Sequence, residues 1–183
     1  MKIGHIFLVS TAKGKEANKL VEWGLTEGSW RIHKGQGTQN RKFYFENFYL
    51  ELLWAVDESD LQSPPLQQIG LHDRMHFLPN ALSPIGICFL NDAETDGLFE
   101  GCITYQPAYF PEGMGIEIIK SEAEKYLPWT FRLPFRDKPY APKEEPTHHP
   151  NGLKNLTVIR LQIPENVDIG TKGRQMSELG IDW

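Results

Sequence analysis

Short runs of alternating apolar and polar positions, rather than long helical periods, organise this chain. Lys2 to Val9 reads as a strand with Ile3, His5, Phe7 and Val9 on one face and Ile6 and Leu8 on the other. Both faces are apolar, so this strand is expected to be covered on each side. Thr11 to Gly24 sets Ala17, Leu20, Val21 and Gly24 at helical spacing, a small helix closed by glycine. Trp30 to His33 makes a short second strand. After a loop from Gly35 to Asn40, Arg41 to Phe45 and Phe48 to Val56 form a hairpin across Glu46-Asn47, where asparagine tolerates the left-handed geometry of a tight turn. The order is β-α-β-β-β.

From Asp57 to Ser83 the texture changes. Turn residues and prolines in DESDLQSPPLQQ and LPNALSP predict a linker with at most a short helix. Pro84 to Asn91 then repeats the opening, IGICFL at 85–90 lying over IGHIFL at 3–8. Strands are predicted at Gly101 to Gln106, Gly115 to Lys120 and Tyr126 to Phe135, with a brief helix from Ala93 to Glu100. The chain therefore divides into unit one (1–58), a linker (59–83), a second β-α-β-β-β unit (84–136) and a C-terminal loop and extension (137–183). Asp137 to Gly152, rich in Pro, Lys, Glu and His, reads as an exposed loop. Leu156 to Ile163 is one more strand and Gln175 to Gly180 a last helical turn, an incomplete third unit whose strand calls for a partner. A homodimer is the expected way to supply one.

Composition changes this picture little. The formal charge of -5 and a pI near 5.7 argue against a nucleic-acid binder, and no basic stripe appears along the sequence. No apolar run nears the roughly 20 residues that span a bilayer, and MKIGHIFLVS turns polar too early for a signal peptide. A cytoplasmic protein with reduced Cys88 and Cys102 in its strands is the expectation.

The chemistry concentrates in HKGQGTQNRKFYFENFYLELLW, His33 to Trp54. Glu51 interrupts an apolar strand, and an unpaired buried carboxylate is costly and titrates upward. It reads either as a base or ligand, or as one half of a structural pair with Arg41 or a backbone donor. His5 is likewise a lone ionisable group on an apolar wall, a ligand, an acid-base partner of Glu51 or a core histidine. His33 opens a loop in which Gly35 and Gly37 allow close backbone approach and Thr38, Gln39, Asn40 and Arg41 bring donors for a carboxylate, phosphate or carbonyl oxygen. Arg41 suits an anion through its planar fork. The competing reading is a turn packed by its own polar groups. Trp129 and Phe131 alternate with Thr130 and Arg132, and either face could line a cavity. His72 and His76 stand four residues apart in HDRMH, a spacing that binds zinc on a helix, but the adjacent Glu and further ligands of a catalytic motif are missing and the stretch reads as solvated.

A duplicated β-α-β-β-β unit with His on its first strand and Glu on its fourth resembles the vicinal oxygen chelate superfamily. His33 to Arg41 followed by Tyr49 to Leu53 is similar to its glyoxalase-like domain group, as is His148 to Leu153 after the LPW-F strand, Leu127 to Phe131. The resemblance implies an α+β fold, two β-α-β-β-β units curled into a mixed-sheet cup with the first and fourth strands of each unit adjacent. It also implies that His5, Tyr49 and Glu51 line the cup and that the loop with His149 folds over its mouth. Metal-using members hold a divalent ion with His or Gln and Glu from both units. Here the repeat sets Ile87 where His5 stands, Cys88 falls on the opposite face by parity, and Tyr126 to Phe135 holds no carboxylate. His5 and Glu51 remain where three or four ligands are expected, so a divalent ion is compatible with the site but not favoured. The implied function is lyase, isomerase or ring-opening chemistry on a small oxygen-rich anion, with Glu51 as base, His5 orienting it and the His33–Arg41 loop holding substrate oxygens. The alternative is a metal-free binding or sequestration protein of the same fold.

Overall fold

The computed structural model describes residues 2–120, 125–140 and 144–183. In the first half, β1 (Ile3–Val9) leads through α1 (Glu16–Glu22) to β2 (Trp30–His33), β3 (Thr38–Tyr44) and β4 (Tyr49–Ala55). Four short helices follow: α2 (Glu58–Leu61), α3 (Pro64–Gln68), α4 (Leu71–Met75) and α5 (Phe77–Asn80). The second half repeats the order with β5 (Ile85–Asn91), α6 (Asp96–Phe99), β6 (Ile103–Tyr105), β7 (Ile116–Ile118) and β8 (Trp129–Arg136). One curled eight-stranded mixed sheet results, in the order β2-β3-β4-β1-β5-β8-β7-β6. β1 runs parallel to β4 and β5 parallel to β8, while β1 and β5 meet antiparallel at the centre. The first and fourth strands of each unit are thus adjacent, as expected.

Each face of the sheet has its own core. On the inner face Phe7, Leu53, Cys88, Trp129 and Phe131 pack with Leu61, Leu66, Ile69 and Leu71 from the helical segment. Outside, α1 covers the first half through Ala17, and α6 and α7 (Gly170–Glu178) cover the second through Leu98 and Met176. Phe7 crosses β5 over Gly86, where an added Cβ would lie 2.0 Å from the ring, so only glycine lets the two strands close on that side chain.

Three expectations are corrected. The pairing of β1 with β5 shifts register between Ile3 and His5, an irregularity that separates the two residues. Ile3 joins the outer core with Ile87, whereas His5 faces inward and pairs with Cys88. Cys88, not Ile87, therefore stands opposite His5 in the second unit. Next, the stretch 59–83 is not an open linker: Leu61, Leu66, Ile69 and Leu71 are at most 2 % exposed and close the inner face. Last, the tail makes β9 (Ile159–Arg160), α7 and β10 (Ile181–Asp182), and β9 pairs in parallel with β10 of the same chain. The strand that called for a partner chain already has one. Of the predicted 137–152 loop, residues 141–143 lie outside the described residues.

Candidate functional site

Inside the curl lies a cavity of about 260 Å³. Strand parity decides what reaches it, because successive side chains of a strand point to opposite faces. β2 contributes Arg31 and His33, β3 Asn40 and Lys42, β4 Tyr49 and Glu51, and β1 His5. β8 adds an aromatic wall through Trp129 and Phe131, Ile69 and Leu71 form part of the floor, and Tyr109 arrives from the β6–β7 loop. Arg31 is exposed, which marks where the cavity meets solvent. A second hollow of about 300 Å³ shares His5, Tyr49, Leu133 and Phe135 with it, so the stacked pair of His5 and Tyr49 rings, 4.3 Å between centroids, stands between the two.

Glu51 occupies the centre of the polar wall and is 5 % exposed. Asn40 donates from Nδ2 to Glu51 Oε1 at 2.7 Å, and its own Oδ1 accepts the Arg31 backbone N–H at 2.7 Å. The backbone donor fixes the amide orientation, so the NH2 group must face the carboxylate. The other oxygen, Oε2, lies 3.7 Å from His5 Nε2, too far for a hydrogen bond. Lys42 is the cross-strand neighbour of Glu51.

Burial dominates the titration of these groups. It raises the Glu51 carboxyl above the ordinary carboxylate range, against the pull of the Asn40 hydrogen bond and the Lys42 charge. Burial, with the charges of Lys42 and His33 added, takes the His5 imidazole down to about 3. His33 falls to about 4 by burial and the nearby Arg31 and Lys42. At neutral pH both imidazoles are therefore uncharged. Lys42 is the cation that acts on Glu51, and Arg31 lies at the solvent mouth over the Tyr109 ring, so the cavity carries positive charge that favours an anionic ligand.

His33 is held by a chain of side chains. Gln36 donates to Thr38 Oγ1 at 2.9 Å, Thr38 Oγ1 lies 2.9 Å from His33 Nδ1, and Tyr109 donates to Gln36 Oε1 at 2.8 Å. Thr38 Oγ1, which accepts from Gln36, has one hydrogen and one further lone pair, so it serves His33 Nδ1 in either tautomer of the neutral ring.

Of the residues singled out in the sequence, His5, His33, Asn40, Tyr49, Glu51 and Trp129 meet at this cavity. Others do not. Thr38 is buried behind His33, and Gln39 is not on the cavity wall. Gly37, at φ +70°, abuts α2: a Cβ there would sit 2.3 Å from the Asp57 carbonyl oxygen. Arg41 points to the other face, where it pairs with Glu27 and donates to the Gly14 carbonyl and Asn18 Oδ1. Arg132 faces outward as well, ion-paired with Glu117 and with Asp96, and lies over the Phe99 ring. His149 is 2 % exposed, accepts the Thr26 N–H on Nδ1 and donates from Nε2 to the Tyr44 carbonyl, which leaves it no free nitrogen. Arg31, Lys42, Gln36 and Tyr109 were missed. Strict alternation from His33 and Asn40 would have found the first two; no pattern points to the loop residue Tyr109.

The donor set does not suit a metal ion in the cup. His5 and Glu51 are the two ligand side chains within reach of each other, and among the described residues no third His, Cys, Asp or Glu joins them at ligand spacing. Cys88 is a buried thiol whose ionisation burial opposes.

No model of a known protein family matches the sequence, and no curated protein does. Several solved structures have related folds. A hypothetical protein, BH1468 from Bacillus halodurans C-125, is 13% identical, the match covering 76% of this chain and 96% of that one at a TM-score of 0.45. Methylmalonyl-CoA epimerase in complex with methylmalonyl-CoA and NH4+ is 14% identical over 72% and 92%, at 0.45. A variant of the Streptomyces coelicolor methylmalonyl-CoA epimerase in complex with 2-nitronate-propionyl-CoA is 13% identical over 78% and 99%, at 0.47. At these identities and scores, the chemistry of the cavity has to be read from its own residues.

Proposed function

We propose that the protein is an enzyme of the vicinal oxygen chelate type that moves a proton at the carbon beside a carbonyl of a small anionic metabolite. The observation that carries this reading is Glu51, a carboxylate with raised proton affinity in a cavity whose cations are Arg31 and Lys42. Burial makes Glu51 a stronger base than an exposed carboxylate, and proton capture removes the charge that burial disfavours. Asn40 holds Oε1, leaving Oε2 to receive the proton from a substrate placed toward His5. The oxyanion that forms on the substrate is offset by the Lys42 ammonium, while Arg31 at the mouth takes the substrate's anionic end. Neutral His5 and His33 offer hydrogen-bonding ring nitrogens without adding a charge that would quench the base. No step in this scheme uses a metal.

Solvent exchange tests it. Pyruvate, 2-oxobutyrate and dihydroxyacetone phosphate are incubated with the protein in D2O, and loss of the carbon-bound proton is followed by NMR. Wild-type protein is expected to accelerate the exchange of at least one probe, and Glu51→Gln to abolish that acceleration while still binding the same probe. Binding by both proteins with exchange by neither assigns the cavity to sequestration instead of catalysis.

A further inference from the structure

The helices over the inner core carry a cluster that the cavity does not use. Glu58 begins α2, His72 lies in α4 and His76 is its C-cap. One ligand atom from each falls within 4.8 Å of the others. Glu58 Oε1 is 3.2 Å from His72 Nε2, and Glu58 Oε2 is 3.5 Å from His76 Nε2. A tetrahedral zinc ion with bonds of about 2.0–2.1 Å spaces its ligand atoms about 3.3–3.4 Å apart; the two separations are close to that spacing but run to different oxygens of Glu58, so one ion would draw the rings toward a shared carboxylate.

The other side of each ring supplies an independent argument. His72 Nδ1 lies 3.1 Å from the Asp73 carboxylate, and His76 Nδ1 lies 3.0 Å from the His72 carbonyl oxygen. Both partners can only accept, so each Nδ1 carries the hydrogen. In a neutral imidazole the Nε2 atoms then present lone pairs. Both lone pairs face the Glu58 carboxylate, itself an acceptor. Two imidazole nitrogens turned toward one carboxylate are joined to it either by a proton on each ring or by a shared cation, and histidines whose far nitrogen donates to a carboxylate or a carbonyl have the arrangement that orients metal ligands.

We propose that Glu58, His72 and His76 bind zinc and so fasten α2 to α4, with Asp73 and the His72 carbonyl orienting the rings and a fourth position open to water. The site is separate from the cavity but mechanically linked to it. Asp60 of α2 accepts the Gly35 N–H, and the Gly37 carbonyl accepts the N–H groups of Val56 and Asp57, which ties α2 to the loop after His33. Leu71 of α4 forms part of the cavity floor. Zinc would lock the His33 wall to that floor.

The test is calorimetric titration of zinc sulfate into untagged, EDTA-stripped full-length protein, alongside thermal melting. One zinc per chain and a raised Tm are expected. His76→Ala and Glu58→Gln should weaken binding at least about 100-fold, and Asp73→Ala about 10–100-fold as an outer-shell loss. Glu51→Gln should bind zinc as wild type does. Cobalt substitution should give the visible absorption of a four-coordinate site, lost in His76→Ala. The competing occupant is a pair of protonated histidines beside Glu58, which takes up no zinc. Absence of stoichiometric binding, binding that survives His76→Ala in a protein of unchanged circular dichroism, or binding abolished by Glu51→Gln each overturns the proposal.

Discussion

Replacing His5 with Phe should make the protein less sensitive to acid. The His5 ring is 5 % exposed and its folded-state pKa is about 3, against 6.5 for an unperturbed imidazole. Between those values the unfolded chain binds a proton that the folded chain refuses, so stability is present above pH 6.5 and is lost as the pH falls toward 3. The slope is about 1.4 kcal/mol per pH unit for one such group, which gives about 2–3 kcal/mol between pH 7 and 4.5. His33, at about 4, acts in the same direction, whereas Glu51, with its raised carboxyl, acts in the opposite one. Phenylalanine keeps a ring against Tyr49 and removes only the His5 share. Urea unfolding free energies at pH 7, 6, 5 and 4.5 measure it. The variant should decline by about 2–3 kcal/mol less than wild type over that range. Identical pH dependence in the two proteins would refute the assignment of His5 as a buried neutral imidazole.

Gly37→Ala places a Cβ against the Asp57 carbonyl at φ +70° and should cost about 3 kcal/mol or more in urea unfolding, unlike a change at an open glycine. His149→Ala strips the buried partners from the Thr26 N–H and the Tyr44 carbonyl. It should lower stability by about 2–3 kcal/mol while leaving the exchange rate of a bound probe at the wild-type value, since His149 lies off the cavity.

The repeated β-α-β-β-β order was legible because alternation and turn residues are local signals, and the polar wall was legible because Glu51 and His5 break apolar runs. What failed was parity across an irregularity. The overlay of IGHIFL on IGICFL assumes an unbroken strand, and the register shift beside Gly4 moves His5 to the face opposite Ile3, so Cys88 rather than Ile87 becomes its neighbour. The glycine loop misled for a related reason. β3 begins at Thr38, three residues earlier than the composition suggested, and from there Asn40 turns inward while Arg41 turns toward α1. Prolines hid the helical segment, although Leu61, Leu66, Ile69 and Leu71 fit a covered wall. Glu58 could not be joined to His72 and His76 by spacing alone, because only tertiary packing brings α2 beside α4.

The measurement closest to the central claim is the titration of the glutamate side-chain carboxyl carbons by ¹³C NMR, in wild-type protein and in Glu51→Gln. One resonance should titrate above the ordinary glutamate value of 4.5 and be missing from the variant. If every glutamate titrates at or below 4.5, or the displaced resonance persists in Glu51→Gln, Glu51 is not the buried base of this cavity.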